Sequence, residues 1–566
     1  MRYGGIQGSQ ALLCRARAGN LERWLRRSRL SKPTVDGRQL TAIWTGQRWS
    51  SATPDSSNLA PRQKDETGAQ IPTTVPNLPS RKWSTPLAKT IAQAIEVTGP
   101  VSIASYMRQC LTNPDGGYYT TKRPSTDPTD QFGTAGDFVT SPEISQVFGE
   151  LVGIWFMTEW MAQGRLKEGV QFIEMGPGRG TLISDVLRTV GQFQTFAKAI
   201  QAVWLVEAGP DLRLKQKNLL CGEQAEMKEI TDNSGKNKWW EATSKQGIPV
   251  RWVEDIVLLP ESGASMPFII AHEFFDALPI HAFESVAPKP EEQRRDGAEA
   301  LSNGQSQPAP KPSMASKLPQ WRELLVAPTN AKFSIPLPSD SIKKEENKEP
   351  EPDFQLTLAK SSTPSSLVIP ERPRYRALKA QPSSRVEISP ESSRYVNAFA
   401  KLIGGETQKP SSGEPMPKAA GAALVIDYGP LDTVPINSLR GIRKHKVISP
   451  FVHAGDADIS ADVDFEALAD AALEASSNVE VHGPVEQGAW LSQLGIQERV
   501  QRLLKAAEKE TSGDESEKKR RELDAGWKRL VEGGPKGMGK AYKVMTIVPE
   551  NSGKRRPVGF GGGVVG

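Results

Sequence analysis

Apolar residues first recur at helical spacing at Leu87, Ile91, Ala94 and Ile95, which predicts the start of a folded body near residue 87. The pattern changes at residues 171–175, a short apolar run of the kind that forms a buried strand. It enters Gly176-Pro177-Gly178-Arg179-Gly180, and a helix follows with Ile183, Val186 and Leu187 on one face. Residues 203–206, 250–253 and 268–271 repeat the buried-strand pattern, and 423–426 form a fifth run. Strands that alternate with helical stretches predict an α/β fold with a parallel sheet. Residues 479–482 and 542–548 are expected to add final antiparallel strands. Residues 465–475 should be a helix with Leu468, Ala472 and Leu473 inward.

Composition divides the chain further. It has 566 residues with 49 glycines and 44 prolines, and only 37% are hydrophobic, so much of the length must connect rather than pack. Residues 51–86 are expected to be a disordered linker. The body then runs over 87–286 as an N-terminal cap and the first half of the main domain. Residues 287–320 hold six prolines and no aromatic residue and are expected to be a disordered insertion. Residues 321–418 should add strands (321–328, 354–358) and a helix (392–403) between looser stretches. The second half of the domain covers 419–549, and the Gly-rich, basic segment 550–566 should be a disordered tail.

The net charge of +5 is uneven. Residues 1–50 carry ten Lys/Arg and two acids, while the rest of the chain is at −3. An Arg-rich, Ser-containing, weakly amphipathic leader without an apolar core has the composition of a mitochondrial transit peptide, favoured over a disordered basic tail on a cytosolic protein, and the mature protein is expected in the matrix. The acidic balance of the remainder disfavours nucleic acid as a partner. No run approaches the ~18 apolar residues of a transmembrane helix. Three scattered cysteines and five histidines show no metal-ligand spacing, so no metal is expected.

The glycine turn carries the first chemistry. Glycines there let backbone N–H groups approach a ligand, and the following helix N-terminus adds donors. The spacing is Gly-x-Gly-x-Gly. A dinucleotide fingerprint would need its third glycine at Thr181, which argues against a nicotinamide cofactor. With Glu174 ahead of it, the loop resembles motif I of the class I S-adenosylmethionine-dependent methyltransferases. Glu207, closing the second strand, is placed to take ribose hydroxyls. Glu254 and Asp255 follow the third strand, at the expected border of an adenine pocket. The fourth strand runs into His272-Glu273-Phe274-Phe275-Asp276, whose two acids form a candidate site; Glu273 could equally cap the next turn over a phenylalanine core.

The combination resembles the MidA-like family. The motifs are Asn113-Pro114-Asp115-Gly116-Gly117-Tyr118-Tyr119, Gly136-Asp137-Phe138, Glu174-Met175-Gly176-Pro177-Gly178-Arg179-Gly180, His272 to Pro279, Asp427-Tyr428-Gly429 and Val463-Asp464-Phe465. Its eukaryotic branch is the mitochondrial complex I assembly factor 7-type protein arginine methyltransferases. The resemblance implies a seven-stranded, Rossmann-like class I methyltransferase fold with a helical N-terminal part and low-complexity insertions. It also implies S-adenosyl-L-methionine as methyl donor, and symmetric dimethylation of an arginine in the 49-kDa-type core subunit of respiratory complex I.

An arginine acceptor is a planar cation that pairs with carboxylates. Glu273 and Asp276 are therefore the expected catalytic residues. Glu174, Gly176, Gly178, Gly180, Glu207 and Asp255, with Asp137 and Phe138 as a cover, are expected around the cofactor. Tyr118 and Tyr119 could line the acceptor channel or simply pack. A non-enzymatic assembly chaperone of the same fold, or a methyltransferase with another acceptor, remain as alternatives.

Overall fold

The computed structural model describes residues 81–120, 137, 139–232, 235, 238–259, 265–287, 318–329, 351–405, 418–510, 514–534 and 536–561. All belong to one compact unit spanning residues 80–566. The expected transit peptide, nearly all of the linker before residue 86, most of the insertion at 287–320 and Phe138 lie outside the described residues.

A sheet of nine strands forms the centre. In chain order these are β1 (Val170–Met175), β2 (Ile200–Val206), β3 (Lys228–Thr231), β4 (Lys238–Thr243), β5 (Pro249–Val253) and β6 (Met266–His272). An antiparallel lobe follows: β7 (His281–Val286), β8 (Gln320–Pro328), β9 (Phe354–Leu358) and β10 (Arg385–Ile388). Next come β11 (Ala422–Tyr428), the short β12 (Arg440–Arg443), β13 (Lys446–Ile448) and β14 (Asp458–Ser460), then β15 (Val479–Glu486) and β16 (Tyr542–Pro549). The central order is β15-β16-β11-β6-β1-β2-β5-β4-β3. Five strands, β5, β2, β1, β6 and β11, are parallel. β16 and β15 add the expected antiparallel pair. The sheet exceeds the expected seven strands by the hairpin β3–β4, which pairs antiparallel onto β5.

Every residue of β1 and of β6 is buried, as a parallel strand covered on both faces requires. Alternation then sorts the side chains by face. Phe172, Phe268 and Ile270 meet the helices α3 (Gln146–Ala162) and α4 (Thr181–Val190) through Phe156 and Val186. Ile173, Ile269 and Ala271 meet α6 (Pro390–Gly404) and α7 (Phe465–Ala475) through Phe399 and Leu468. Within α7, Leu468 and Ala472 turn inward as expected, but Leu473 is 52% exposed and Ala471 takes the inward position. Leu473 stands one residue beyond the stripe that 3.6 residues per turn allows.

The first two helices, α1 (Pro86–Thr98) and α2 (Ile103–Thr112), pack on the antiparallel lobe. Leu87, Ile91, Tyr106, Val326 and Phe354 share that core. The strands β7 to β10 form one lobe with the N-terminal helices. The remaining major helix of the cofactor half, α5 (Pro210–Cys221), follows β2.

The chain end departs from expectation. Residues 550–561 dock on α3 instead of forming a disordered tail. The Trp155 indole N–H donates to the Val558 carbonyl at 3.0 Å, and Val558 and Phe560 are buried. Arg555 forks onto Glu159 at 2.8 and 2.6 Å, and the Glu159 side chain has no exposed surface. Composition hid this, because two apolar residues and one arginine among many glycines carry the contact. Removing one partner of a buried pair costs about 3–5 kcal/mol, and water at Arg555 discounts that. Arg555→Ala should lower stability by about 2 kcal/mol in a denaturant titration, with cofactor affinity unchanged. An unshifted midpoint would show that the segment is not held by this pair.

Candidate active site

The order of strands reverses between β1 and β6, since the chain adds β2 and β5 on one side and then crosses to the other. Open α/β sheets place ligands at the carboxyl ends of the strands beside such a reversal. A cleft of about 350 Å³ lies there. A smaller cavity of about 260 Å³ sits behind Phe275, and its acids Glu387, Asp462 and Asp464 are already taken by Ser438, by Arg440, and by Arg374 and Tyr375.

The glycine turn forms one wall. Gly176, Gly178 and Gly180 have φ of 57°, 54° and 85°, the left-handed region that other residues rarely adopt. Gly180 is the N-cap of α4. A Cβ on Gly176 would come within 3.2 Å of the Phe274 ring. Gly176 and Gly178 line the cleft, whereas Gly180 turns toward Gln216 and shapes the loop from behind. Glu174 is 3% exposed, and its Oε2 has no hydrogen-bond partner among the described residues. Burial pushes its carboxyl up to about 8.

Glu207 closes β2 as expected and lines the cleft. Its Oε1 accepts from the Gly209 N–H at 2.7 Å, and its Oε2 from Gln216 Nε2 at 3.1 Å. Burial raises its carboxyl to about 7. The same Gln216 amide donates to the Gly178 carbonyl at 2.7 Å, and its oxygen accepts from the Trp252 indole at 2.9 Å. Gln216 is wholly buried. It ties the glycine turn, the acid and β5 together, and nothing in the sequence singled it out, because a glutamine inside a helix has no motif.

Of the two acids after β5, Glu254 lines the cleft and Asp255 does not. Asp255 Oδ1 accepts from the Val257 N–H at 3.1 Å, and its Oδ2 accepts from Arg394 at 2.7 Å. Asp137 also lies off the cleft. It accepts from the Tyr118 hydroxyl at 2.9 Å and the Lys444 N–H at 2.9 Å, so it fastens two loops. Tyr118 is a packed residue, while Tyr119 reaches the cleft and donates to Asp458 at 2.9 Å.

The loop after β6 is held from below. Asp427, at the end of β11, accepts from the N–H groups of Phe274, Phe275 and Asp276 at 3.1, 2.8 and 3.3 Å. Glu273 N donates to the Ile426 carbonyl at 3.0 Å. These bonds hold Glu273 at φ 49°, a conformation that a glutamate reaches only when its surroundings dictate it. The Glu273 carboxylate lines the cleft and accepts from the Tyr542 hydroxyl at 2.6 Å. The Tyr428 hydroxyl lies 2.5 Å from that of Tyr542. Burial raises the Glu273 carboxyl to about 8, and Tyr542 draws it partway back. Asp276 is buried and absent from the cleft wall. Burial, then its neighbours Asp427 and Asp458, hold its carboxyl well above the ordinary range. The two expected catalytic acids thus occupy different levels: Glu273 at the surface of the cleft, Asp276 beneath it. The segment Asp427-Tyr428-Gly429, at the same sheet edge, is expected from the sequence to contact substrate, whereas Tyr542 lies on a strand far along the chain.

The chemistry of the cleft suits S-adenosylmethionine. A buried carboxyl oxygen at Glu174 without a partner among the described residues borders the cleft, Gly176 and Gly178 keep side chains off its wall, and Glu207 offers an acceptor for a diol. Five parallel strands, a glycine turn after the first, an acid after the second and a closing antiparallel pair define a class I methyltransferase. The profile of the family described as "Putative S-adenosyl-L-methionine-dependent methyltransferase" matches residues 151–485. The chain is 31% identical over 475 residues to protein arginine methyltransferase NDUFAF7, mitochondrial, of Homo sapiens, covering 84% of this chain and 86% of that protein. It is 32% identical over 463 residues to the Drosophila melanogaster homolog of that name, covering 82% and 85%. A Burkholderia thailandensis protein crystallised with S-adenosyl-homocysteine aligns with a TM-score of 0.53 at 19% identity over 84% of this chain and 93% of that one, a likeness of fold. The chain belongs to the MidA-like family of S-adenosylmethionine-dependent methyltransferases. S-adenosylmethionine is its cofactor.

Proposed function

We propose that the protein methylates arginine in a protein substrate, and that this substrate is the 49-kDa-type core subunit of respiratory complex I, symmetrically dimethylated in the mitochondrial matrix during assembly. The observation that carries the acceptor is the excess of buried acid at the cleft. Glu273 lines it, and Asp276, Asp427 and Asp458 stand beneath, all raised by burial. Arg440 is set against them but is already paired with Asp462 at 2.6 Å. Such a group of carboxylates is completed by an incoming guanidinium. The relatives named above are called mitochondrial protein arginine methyltransferases. The leader composition and the resemblance to the complex I assembly branch support the location and the partner.

Glu174, Gly176, Gly178 and Glu207 would hold the cofactor, which supplies an electrophilic methyl when bound. Glu273 would align one guanidinium nitrogen toward that methyl and receive its proton at the carboxylate. Tyr542 holds Glu273 in place. Most of the acceleration should come from positioning two cations and excluding water.

Labelled S-adenosylmethionine, mitochondrial extract and mass spectrometry of the labelled peptides test the reading. Label on symmetric dimethylarginine of the complex I subunit is expected. Label on lysine, RNA or a small molecule would replace the acceptor. Amino-terminal sequencing of the native protein tests the leader, and an intact Met1 would exclude its removal.

The pH dependence follows from Glu273. Only the ionised carboxylate pairs with the cation, so kcat/KM should rise with pH through an apparent pKa near 8. For stability the sign is opposite. The folded chain holds this proton more tightly than the unfolded one. Its contribution is full below about 4.5 and is lost as pH rises toward 8. A flat kcat/KM profile between pH 6 and 8.5 would remove Glu273 from this role.

A further inference from the structure

His272 ends β6 one residue before Glu273. Alternation puts it on the same face as Phe268 and Ile270, both wholly buried. An apolar side chain would complete that pattern, yet the position carries an imidazole. Its side chain is 6% exposed and lines the cleft. The ring packs edge-on against Phe148 at 5.2 Å and lies parallel to Tyr542 at 6.2 Å. These contacts fix the ring plane. They leave Nε2 buried without a hydrogen-bond partner among the described residues. Native folds rarely leave such an atom unsatisfied, and a ligand is one way of satisfying it. Nε2 lies 3.6 Å from Glu273 Oε1, too far for a good bond between them.

We infer that His272 is a substrate-binding residue whose Nε2 accepts one N–H of the acceptor guanidinium while the Glu273 carboxylate pairs with another of its nitrogens. The inference rests on arginine as the acceptor. Two adjacent acceptors of different kinds match the planar fork of five donors that a guanidinium presents. Burial lowers the imidazole pKa to about 3, so the ring is neutral, and the inference places its proton on Nδ1 so that the Nε2 lone pair is the acceptor. A neutral acceptor adds no positive charge beside a cation. The tyrosine contact gives the same ring a second duty, since Tyr542 also bonds Glu273 at 2.6 Å. One aromatic stack therefore sets the spacing of both acceptors.

The test compares two substitutions in the full chain. His272→Phe keeps an aromatic ring against Phe148 and Tyr542 but has no acceptor. His272→Asn loses the stack and restores an acceptor. A hydrogen bond to a charged group is worth about ten- to a hundredfold. His272→Phe should therefore lower kcat/KM on an arginine peptide by that factor, mainly through KM, with S-adenosylmethionine affinity within twofold. His272→Asn should recover much of the loss. A purely structural ring predicts the reverse order, and either that order or wild-type kinetics in His272→Phe overturns the inference. Binding of acetyl-Gly-Arg-Gly amide in the presence of S-adenosylhomocysteine provides a readout apart from turnover. Weaker binding to His272→Phe than to the wild type supports the inference, and equal binding overturns it. Wild-type label found only on acceptors other than arginine sinks the arginine reading and this inference with it. Wild-type arginine methylation with an indifferent His272→Phe sinks this inference alone.

Discussion

Glu273→Gln is expected to cut kcat/KM for arginine methylation by about two to three decades while S-adenosylmethionine affinity stays within a few-fold. The substitution keeps the shape and the Tyr542 contact but removes the charge. Losing one member of a buried, hydrogen-bonded charge pair costs about 2–5 kcal/mol, and each 1.36 kcal/mol is tenfold in rate. The bond that positions the acid (Glu273 N to Ile426 O) and the three N–H bonds to Asp427 involve the backbone of the loop, so the variant should fold. Asp276→Asn provides the contrast. Its carboxyl is buried beneath the cleft and absent from the cleft wall, so activity per folded molecule should fall far less. Asp427→Asn should act on stability, because Asp427 organises the loop that presents Glu273. Melting temperature, cofactor affinity and turnover on all three variants separate these roles. Full turnover in folded Glu273→Gln would move proton acceptance to another group.

The sequence made the parallel half of the fold readable because each buried strand ended in an unusual residue. β1 ended in a glycine turn, β2 in Glu207, β6 in Glu273 and β11 in Asp427. Those ends converge at one edge of a parallel sheet by topology alone, which is why residues so far apart could be assigned to one site. What remained hidden depends on contacts that local pattern does not encode. The lobe that covers the strand ends is built from α1, α2 and strands separated by proline-rich stretches, and its core forms only when all are brought together. Asp255 and Glu254 are neighbours in sequence, but Arg394 on α6 draws one away from the cleft. Asp137 carries a motif and is nonetheless occupied by Tyr118 and Lys444. Tyr542 becomes a partner of Glu273 only because β16 lies antiparallel on β11, with Tyr428 opposite Tyr542. Gln216 is a single polar residue in an otherwise unremarkable helix, and His272 stands in a motif that gives it no role; burial makes both informative.

Gly178→Val should weaken S-adenosylmethionine binding by at least two to three decades, and it should do so without unfolding the sheet. Gly178 lies at φ 54° in the turn between β1 and α4. A left-handed conformation costs an L-residue roughly 1–2 kcal/mol, and a β-branched side chain is a genuine outlier there. Part of that strain would be relieved by turning the loop, which shifts the Gly178 carbonyl away from Gln216 and loosens the amide that also supports Glu207. The remainder places two methyl groups in the cleft wall, where the fit described above leaves bare backbone for the amino-acid end of the cofactor. Both routes damage the same site, so affinity should fall further than either alone predicts. Gln216→Leu isolates the second route. It keeps the glycine and removes the amide's bonds to Gly178, Glu207 and Trp252, and should weaken binding by about tenfold, in line with the loss of one hydrogen bond to a charged group. Calorimetry on the two variants, with melting temperature as a control for folding, gives the answer. Wild-type affinity in folded Gly178→Val would mean that the glycine turn is only a tight turn, and that the cofactor lies elsewhere along the strand ends.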